Sequence, residues 1–399
     1  MCTEYTTRRD MLKLASLFTV AGAAPLLSAA NAYAQSHPDQ PVKIGYLPIT
    51  DAAPLLIAHH NGYFQEAGVK VEKPTLFRSW AQLAESFIAG QTNVVHLLSP
   101  MTVWARFGSK VPAKVVAWNH INGSALTVAP KINHLKELGG TTVAIPFWYS
   151  IHNVVLQDML RAEGLKPVAR RLGKVEADEV SLVVMSPSDM LPALAAGSIS
   201  GYIVAEPFNA AAELMGVGKV LRFTGDVWRN HACCTVFMHE RDLNGRPQWS
   251  QGVVDAIVRA QLWILENRAE AAKILSRESG KQYTPHGLSA LTKALAPPAS
   301  DAQSYLASRA IRHADWKEER IGFQPYPYPS YTEELVTRLK NTTVEADRGF
   351  LNQLDPVFAA QDLVDDRFVR KSIEAVGGLK KFGVEGAYTR KETIDLSKA

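Results

Sequence analysis

Apolar and polar positions in the first half of the chain predict strands and helices in turn. An apolar run at residues 42–47 predicts a strand, and a helical spacing of apolar side chains at residues 52–64 predicts a helix directly after it. Pro54 falls in the first turn of this helix, where a missing N–H costs nothing, and Asp51 stands at the N-cap position. The carboxyl end of a strand therefore leads into free helical N–H groups, which favour a negative or hydrogen-bond-accepting group.

Two later series of elements follow the same order. Strands are predicted at 94–98, 114–118, 124–128, 142–145, 180–185 and 201–205, and helices at 81–89, 153–163 and 188–196. In both series a glycine ends the helix and a proline follows ten residues later, as Gly90 with Pro100 and Gly197 with Pro207. The repeated order predicts two similar α/β lobes.

The last third of the chain has a helical pattern. Helices are predicted at 254–275, 288–295, 305–310, 331–339, 346–351 and 367–376. No linker rich in Gly and Ser or in Pro and Ala separates this part from the α/β half. We therefore predict that these helices pack on the α/β core and do not form a separate domain.

Composition supports a folded protein of two lobes. The 399 residues exceed what one small core needs, and 47% hydrophobic with 21% charged residues is typical of globular proteins. The net charge is only +4, and no basic run is interleaved with aromatic residues. The sequence therefore excludes nucleic acid as an expected partner.

The first 34 residues have the features of an export signal. Arg8 and Arg9 form a twin-arginine pair, and a mildly apolar run follows at residues 14–27. This run of about 14 residues is shorter than the ~20 that a spanning helix needs. A small-x-small cleavage motif stands directly before Gln35. We predict a twin-arginine signal peptide at residues 1–34 and a periplasmic mature protein.

The chain carries few signs of metal or catalytic chemistry. Cys2 lies in the export signal, and Cys233 and Cys234 are adjacent, so they either form a strained vicinal disulfide or remain thiols. A metal group with His231 and His239 is disfavoured, because adjacent cysteines seldom share one tetrahedral ion. The sequence has no G-x-S-x-G, H-E-x-x-H, G-x-G-x-x-G or P-loop motif. We predict no metal, no cofactor and no enzyme activity.

Several phrases in order carry a family resemblance. They read GYLPITDAAPLLIAHHNGYFQEAG, SW, AGQTNVVHLLSPM, NHINGSALT and AEPFNA. Together they resemble the nitrate, bicarbonate, sulfonate and taurine class of solute-binding proteins of ABC importers. The resemblance implies an α/β periplasmic-binding-protein type II fold, with two lobes, a ligand cleft and C-terminal helices packed on lobe one. Lobe one would comprise residues 42–128 and 234–399, and lobe two residues 129–233.

The resemblance also implies positions for a ligand site. Trp80 would either stack on a planar solute or pack in the core, and His152 would either donate to the ligand or cap its helix. Glu206, before Pro207, matches a family position in the second lobe. Backbone N–H groups beside Thr50 and Asp51 would complete the site.

Two positions depart from the nitrate-binding branch. Ser124 stands where that branch has a Gln, and Cys234 stands where it has the Lys that neutralises nitrate. A buried anion needs a compensating charge or several donors. The missing Lys therefore leaves the class of solute-binding protein intact but fits a larger, neutral or zwitterionic solute better than nitrate.

These observations lead to one main functional prediction with two alternatives. We predict a monomeric periplasmic binding component that presents a small oxyanion or sulfonate-like solute to an inner-membrane ABC permease with a cytoplasmic ATPase. One alternative solute is a thiamine-precursor pyrimidine or another planar heterocycle, set against Trp80, Trp148 and Glu206. An alternative of another class is a pyrimidine-synthase-like enzyme. Such enzymes carry a cysteine-rich phrase, and residues His231–Cys234 faintly resemble it. A role in sensing stays open beside transport.

Overall fold

A computed structural model describes residues 40–169, 173–316 and 320–397 of the chain. The predicted export signal at residues 1–34, with Arg8 and Arg9, lies outside the described residues. Within the described ranges, no helix combines the length and the apolar character needed to cross a membrane.

Short strands are interspersed with helices between residues 44 and 239, and mostly helices follow. In chain order the strands are β1 (Ile44–Tyr46), β2 (Thr75–Leu76), β3 (Val94–Leu98), β4 (Ala113–Trp118), β5 (Ile121–Asn122), β6 (Ser124–Val128), β7 (Thr141–Ile145), β8 (Lys166–Ala169), β9 (Glu179–Val184), β10 (Gly201–Ala205), β11 (Lys219–Phe223), β12 (Cys234–His239) and β13 (Ile321–Gly322).

The helices fall between these strands and after them. In chain order they are α1 (Ala53–His60), α2 (Tyr63–Glu66), α3 (Trp80–Ile88), α4 (Ser99–Val103), α5 (Ile151–Ala162), α6 (Pro187–Ala195), α7 (Phe208–Met215), α8 (Glu240–Gly245), α9 (Pro247–Glu266), α10 (Arg268–Leu275), α11 (Leu288–Leu295), α12 (Ala299–Ala307), α13 (Pro329–Leu339), α14 (Gly349–Gln353), α15 (Pro356–Leu363) and α16 (Arg367–Ala375).

The first lobe is built on a five-stranded sheet in the order β2-β1-β3-β12-β4. β1 runs parallel to β2 and β3, whereas β12 runs antiparallel to both β3 and β4. Every residue of β1, β3 and β12 is buried, as expected for strands covered by helices on both faces. The sheet is thus completed by a strand that comes more than a hundred residues after its neighbours.

The second lobe is built on a six-stranded sheet in the order β11-β6-β10-β7-β9-β8. β6 pairs antiparallel with β10 over its whole length, from Ser124 with Ala205 to Val128 with Gly201. The chain therefore leaves the first sheet before β6, and not after residue 128 as the sequence predicted. The reason is that an apolar run predicts a buried strand but does not reveal which sheet it joins.

The opening strand and helix differ from the prediction in two respects. The predicted helix 52–64 is divided, because Gly62 has a φ of 75° and lies between α1 and α2. Asp51 is not an N-cap: it lies inside a single 3-10 turn, Thr50–Ala52, and Ala52 precedes α1 without any side-chain cap. The Asp51 carboxylate points instead toward a residue in the short segment between β4 and β5.

The C-terminal helices pack on the first lobe and also reach the second. α9 contacts α1 and α16, and α15 and α16 contact β4, as predicted for helices on lobe one. In addition α11 contacts α7, Tyr305 Oη donates to Glu213 Oε2 at 2.9 Å, and Arg338 pairs with Asp158. The last third of the chain therefore joins the two lobes as well as covering one of them.

Candidate functional site

Polar side chains collect at one edge of the first sheet. Because β12 runs antiparallel to β3 and β4, its start lies at the edge where those two strands end. Cys233 and Cys234 stand at this start, Asp51 follows β1, and His120 follows β4. All four side chains are buried. The topology thus brings together residues that lie far apart in the sequence.

These four residues form a compact group, here called the thiol cluster. One ligand atom of each of Asp51, His120, Cys233 and Cys234 lies within 4.8 Å of the corresponding atoms of the others. His120 Nε2 is 2.8 Å from Asp51 Oδ2, and the two Sγ atoms are 3.9 Å apart. Both cysteines are thiols, which decides between the two states that the sequence left open.

Burial and mutual charge shift the pKa values of the thiol cluster in opposite directions. Burial raises the pKa of Asp51 to about 6, although His120 opposes this shift. Burial lowers the pKa of His120, but attraction to and hydrogen bonding with Asp51 and Cys233 together outweigh burial and raise it to about 10. Burial raises the pKa of Cys233, yet its hydrogen bond with Cys234 and the charge of His152 bring it well below the ordinary value. Burial and Cys233 together raise the pKa of Cys234.

The hydrogen bonding of the thiol cluster is incomplete. Among the described residues, neither carboxylate oxygen of Asp51 has a hydrogen bond of good geometry, although Oδ2 forms an ion pair with His120 Nε2 at 2.8 Å. His120 Nε2 also lies 3.3 Å from the backbone N–H of Cys234, and a protonated Nε2 cannot accept that hydrogen bond. No single protonation state of His120 therefore satisfies both neighbours.

Residues of the second lobe face the thiol cluster. Ser124 Oγ is 2.9 Å from His152 Nε2, and the same Nε2 is 3.7 Å from Cys233 Sγ. His152 Nδ1 is buried and has no hydrogen-bond partner in the described part of the chain. We call the region between the thiol cluster, Ser124 and His152 the crevice. Of the sequence-predicted site residues, the structure brings Asp51, Ser124, His152 and Cys234 together there.

Thr50 and Glu206 form a contact between the lobes. The Thr50 N–H and hydroxyl both donate to the backbone carbonyl of Glu206, at 2.9 and 3.1 Å. The Glu206 carboxylate accepts from Arg320 Nε at 2.9 Å, from Arg320 Nη2 at 2.6 Å and from the N–H of Ala210 at 3.0 Å. Burial raises the pKa of Glu206, while Arg320 lowers it. Both residues thus contact protein groups, and their predicted role as ligand contacts remains a prediction.

Trp80 is buried behind the crevice. It opens α3, which Ser79 caps by accepting from the N–H of Gln82. Its ring centroid lies 5.4 Å from that of His96, and within the described ranges its Nε1–H has no hydrogen-bond partner. Trp80 therefore packs against His96 with a donor still available, and its predicted role as a ligand contact remains a prediction.

Three of the backbone donors expected at the first helix are already used. The N–H of Thr50 donates to Glu206, that of Ala52 to the carbonyl of Ile49 at 3.1 Å, and that of Ala53 to the carbonyl of Thr50. An anion at this turn would have to displace these contacts. The anion would also lie close to the thiol cluster, which contains the Asp51 carboxyl group and the Cys233 thiol of lowered pKa.

Sequence reasoning missed His120 and Arg320, and it considered the cysteines only together with His231 and His239, a group that it disfavoured. His231 Nε2 is bonded to the Thr224 hydroxyl at 2.8 Å, and His239 Nε2 to the carbonyl of Phe87 at 2.9 Å. His120 directly follows a buried strand, which is a signal for a residue at a sheet edge. Nothing in the sequence near Arg320 indicates its partner.

A family model described as the NMT1-like family matches residues 35–276, which is more than half of the chain. The chain belongs to the NMT1-like family. Among curated relatives of this NMT1-like chain is the nitrate/nitrite-binding protein NrtA of Nostoc, 27% identical over 277 residues. The match covers 64% of this chain and 61% of the relative, so the chain spans about three fifths of that protein.

Solved structures share the fold of this NMT1-like chain. The periplasmic nitrate-binding protein NrtA of Synechocystis matches with a TM-score of 0.68 and 19% identity, over 88% of this chain and 93% of that one. A ligand-binding component of an ABC-type import system from Staphylococcus aureus, solved with zinc bound, matches with a TM-score of 0.65 and 22% identity, over 84% and 99%. At these identities the likeness establishes the fold alone. The predicted resemblance to nitrate- and bicarbonate-binding proteins and the predicted periplasmic-binding-protein fold are confirmed.

Proposed function

We propose that this protein is the periplasmic solute-binding component of an ABC importer for a small solute. The observation that carries the proposal is the crevice, where polar groups of two separate sheets face each other and several lack a protein partner. A solute bound there would contact both lobes, so it would favour the closed arrangement.

The proposal includes the location and the partners predicted from the sequence. The mature protein would reach the periplasm by the twin-arginine route and act there as a monomer. It would deliver its solute to an inner-membrane permease driven by a cytoplasmic ATPase. Curated relatives named as nitrate-import and bicarbonate-transport ATP-binding proteins match 55–60% of this chain, which supports an importer of this kind.

For the lobes, we propose that closure occurs about the two segments that join the sheets, residues 119–123 and 224–233. These segments connect β4 to β6 and β11 to β12. Asn122 and Gly123 have φ values of 57° and 82°, so the first segment makes a tight, left-handed turn. The two connections lie side by side, because the N–H of Asn122 donates to the carbonyl of His231 at 2.9 Å.

The nature of the solute follows from the charges of the crevice. Relatives are named for nitrate and bicarbonate, but here Asp51 and Cys234 occupy positions that would face the solute. A simple oxyanion would need His152 and His120 as its positive partners. A planar heterocycle would need access to Trp80, whose ring is covered by His96.

One observation favours an enzyme as the second candidate. Cys233 has a lowered pKa and lies 3.7 Å from His152, a thiol–imidazole pair of the kind that activates nucleophilic cysteines. A pyrimidine-synthase-like activity would require turnover at this thiol. Binding without turnover is the expected behaviour of the importer component.

The test uses the mature protein and a panel of nitrate, bicarbonate, taurine, alkanesulfonates, aminopyrimidines and divalent metal ions. One solute class is expected to raise the melting temperature, as mass action requires, and to reduce the radius of gyration in solution scattering. His152→Ala should weaken this binding roughly tenfold or more while leaving the fold intact. His134→Ala, in the second lobe outside the crevice, is the control. Product formation, or a melting temperature that no solute changes, would contradict the proposal.

A further inference from the structure

We propose that the thiol cluster is a binding site for a thiophilic divalent metal ion, of which Zn²⁺ is the representative. The ion would be the solute that the crevice takes up. This assignment of the ion's role depends on the proposed binding function, whereas the site itself depends only on the contacts of Asp51, His120, Cys233 and Cys234.

The spacing of the donor atoms suits a tetrahedral ion. Two thiolates bound at a Zn–S distance of about 2.3 Å with tetrahedral angles lie about 3.8 Å apart. The Sγ atoms of Cys233 and Cys234 are 3.9 Å apart, and all four donor atoms lie within 4.8 Å of one another. The objection that adjacent cysteines seldom share an ion therefore does not apply to this backbone, which turns both thiols to the same side.

The unpartnered atoms of the cluster are a second and independent observation. Asp51 has no exposed surface, and across the described residues both of its carboxylate oxygens lack a hydrogen bond. Burying a carboxylate is costly, and the 2.8 Å contact with His120 offsets this cost without supplying a hydrogen bond of good geometry. A cation between Asp51, His120 and the thiols would take the lone pairs of the Asp51 carboxylate and of His120 Nε2.

The donor set selects the class of ion. Two thiolates, one imidazole and one carboxylate match the preferences of Zn²⁺ and neighbouring transition metals. Ca²⁺ and Mg²⁺ prefer sets of oxygen ligands and are not expected to bind here. Four protein ligands would fill the coordination sphere of a tetrahedral ion. Closed sites of this kind hold the ion, whereas a catalytic site keeps one position open for water or substrate.

All four donors belong to the first lobe, and the second lobe covers them. Asp51 follows β1, His120 follows β4, and the two cysteines begin β12, so all four belong to one edge of the first sheet. The second lobe supplies Ser124 and His152, with His152 Nε2 at 3.7 Å from Cys233 Sγ. The first lobe alone would hold the ion, and the second lobe would then close over it.

The first test measures thiol ligation directly in the unaltered mature protein. After chelation and dialysis, the protein is titrated with Co²⁺, a spectroscopic substitute for Zn²⁺. One equivalent should produce a thiolate-to-cobalt charge-transfer band and tetrahedral ligand-field bands, which one equivalent of Zn²⁺ abolishes. Absence of these bands would overturn the proposal without any appeal to variants.

The second test locates the site. Cys233→Ser and Cys234→Ser should each weaken Zn²⁺ binding roughly 100-fold or more in competition with a chromogenic chelator, and Asp51→Asn should also weaken it. His239→Gln is the matched control, since His239 is a buried histidine on the same strand as Cys234 but bonds Phe87. Unchanged Zn²⁺ affinity in both cysteine variants, with melting curves that demonstrate folding, would overturn the proposal.

Failure of the ion site and failure of the binding function give different results. If Zn²⁺ does not bind but an oxyanion closes the lobes in solution scattering, the importer function stands and the metal proposal fails. If Zn²⁺ binds through the thiols but scattering detects no closure, the site stands and the ion is not the solute of a closing binding protein.

Discussion

Buried histidines that remain neutral make the free energy of unfolding of this protein fall at low pH. Burial, followed by the nearby charge of Arg241, lowers the pKa of His239 to about 3, against 6.5 for an unperturbed histidine. The folded state therefore keeps His239 neutral at a pH where the unfolded state takes up a proton. Stability attributable to this residue is constant above pH 6.5 and is lost as the pH falls from 6.5 toward 3.

We expect His239→Gln to reduce this acid sensitivity. The Gln amide can still donate to the carbonyl of Phe87, which His239 Nε2 now contacts at 2.9 Å. The unfolding free energy of the variant should fall less steeply between pH 6 and 4, by up to about 1.4 kcal/mol per pH unit. Urea titrations of both proteins at several pH values measure the difference. Parallel pH profiles would contradict the assignment.

A second residue-scale prediction concerns the buried pair Glu206 and Arg320. Arg320→Met should destabilise the protein by about 3–5 kcal/mol, because it leaves the fully buried Glu206 carboxylate without its charged partner. The double variant with Glu206→Gln should recover part of this loss. Denaturant unfolding measures both. A loss below about 1 kcal/mol for Arg320→Met would mean that the pair contributes little.

At the scale of single elements, the break between α1 and α2 depends on Gly62. Its φ of 75° is unfavourable for any residue with a Cβ, although the space around it is open. Gly62→Ala should therefore cost about 1 kcal/mol of stability. Gly287→Ala is the control, since Gly287 has a φ of −70° and its Cβ would make only ordinary contacts. Equal effects of the two substitutions on the melting temperature would contradict this explanation.

Elements were predictable from the sequence where local pattern decides them. The bounds of β3, β6, β10 and α11 agree with the predictions, because each is an apolar run or stripe between clear stop signals. The partner of β6 was not predictable, because its buried residues suit either sheet. Asp51 was misjudged for a related reason. Its sequence neighbours indicate an N-cap, but His120, in the segment between β4 and β5, determines where its carboxylate points.

Site residues were predictable only in part. The family resemblance led to Ser124, His152 and Cys234, which do meet in the crevice. His120 and Arg320 were not found, because each acts on a residue far away in the sequence, and local patterns carry no information about such pairs. Their roles become visible once the sheet order places distant strand ends side by side.

At the scale of the whole molecule, the hydrogen bonds of Thr50 with Glu206 join the two lobes, and we expect them to favour the closed arrangement. Thr50→Val keeps the N–H bond and the shape of the side chain but removes the hydroxyl bond of 3.1 Å between lobes. We expect it to shift the open–closed equilibrium toward the open form by about 1 kcal/mol. Solution scattering of the ligand-free protein measures the shift.

The matched control is Thr102→Val. Thr102 is also buried, but its hydroxyl donates to the carbonyl of Ser99 within the first lobe. This variant should lower stability by a similar amount without changing the radius of gyration. A larger radius in Thr102→Val, or an unchanged one in Thr50→Val, would show that this contact does not control closure.

The position of β12 between β3 and β4 has a consequence for how the nascent chain matures. All strands of the six-stranded sheet, from Ser124 to Phe223, leave the ribosome before Cys234, so the lobe begun second can be finished first. The sheet of the first lobe cannot join β3 to β4 until β12, which lies between them, has been synthesised. A chain ended at Phe223 should protect backbone amides in β6 and β10 from hydrogen exchange but leave those of β4 unprotected.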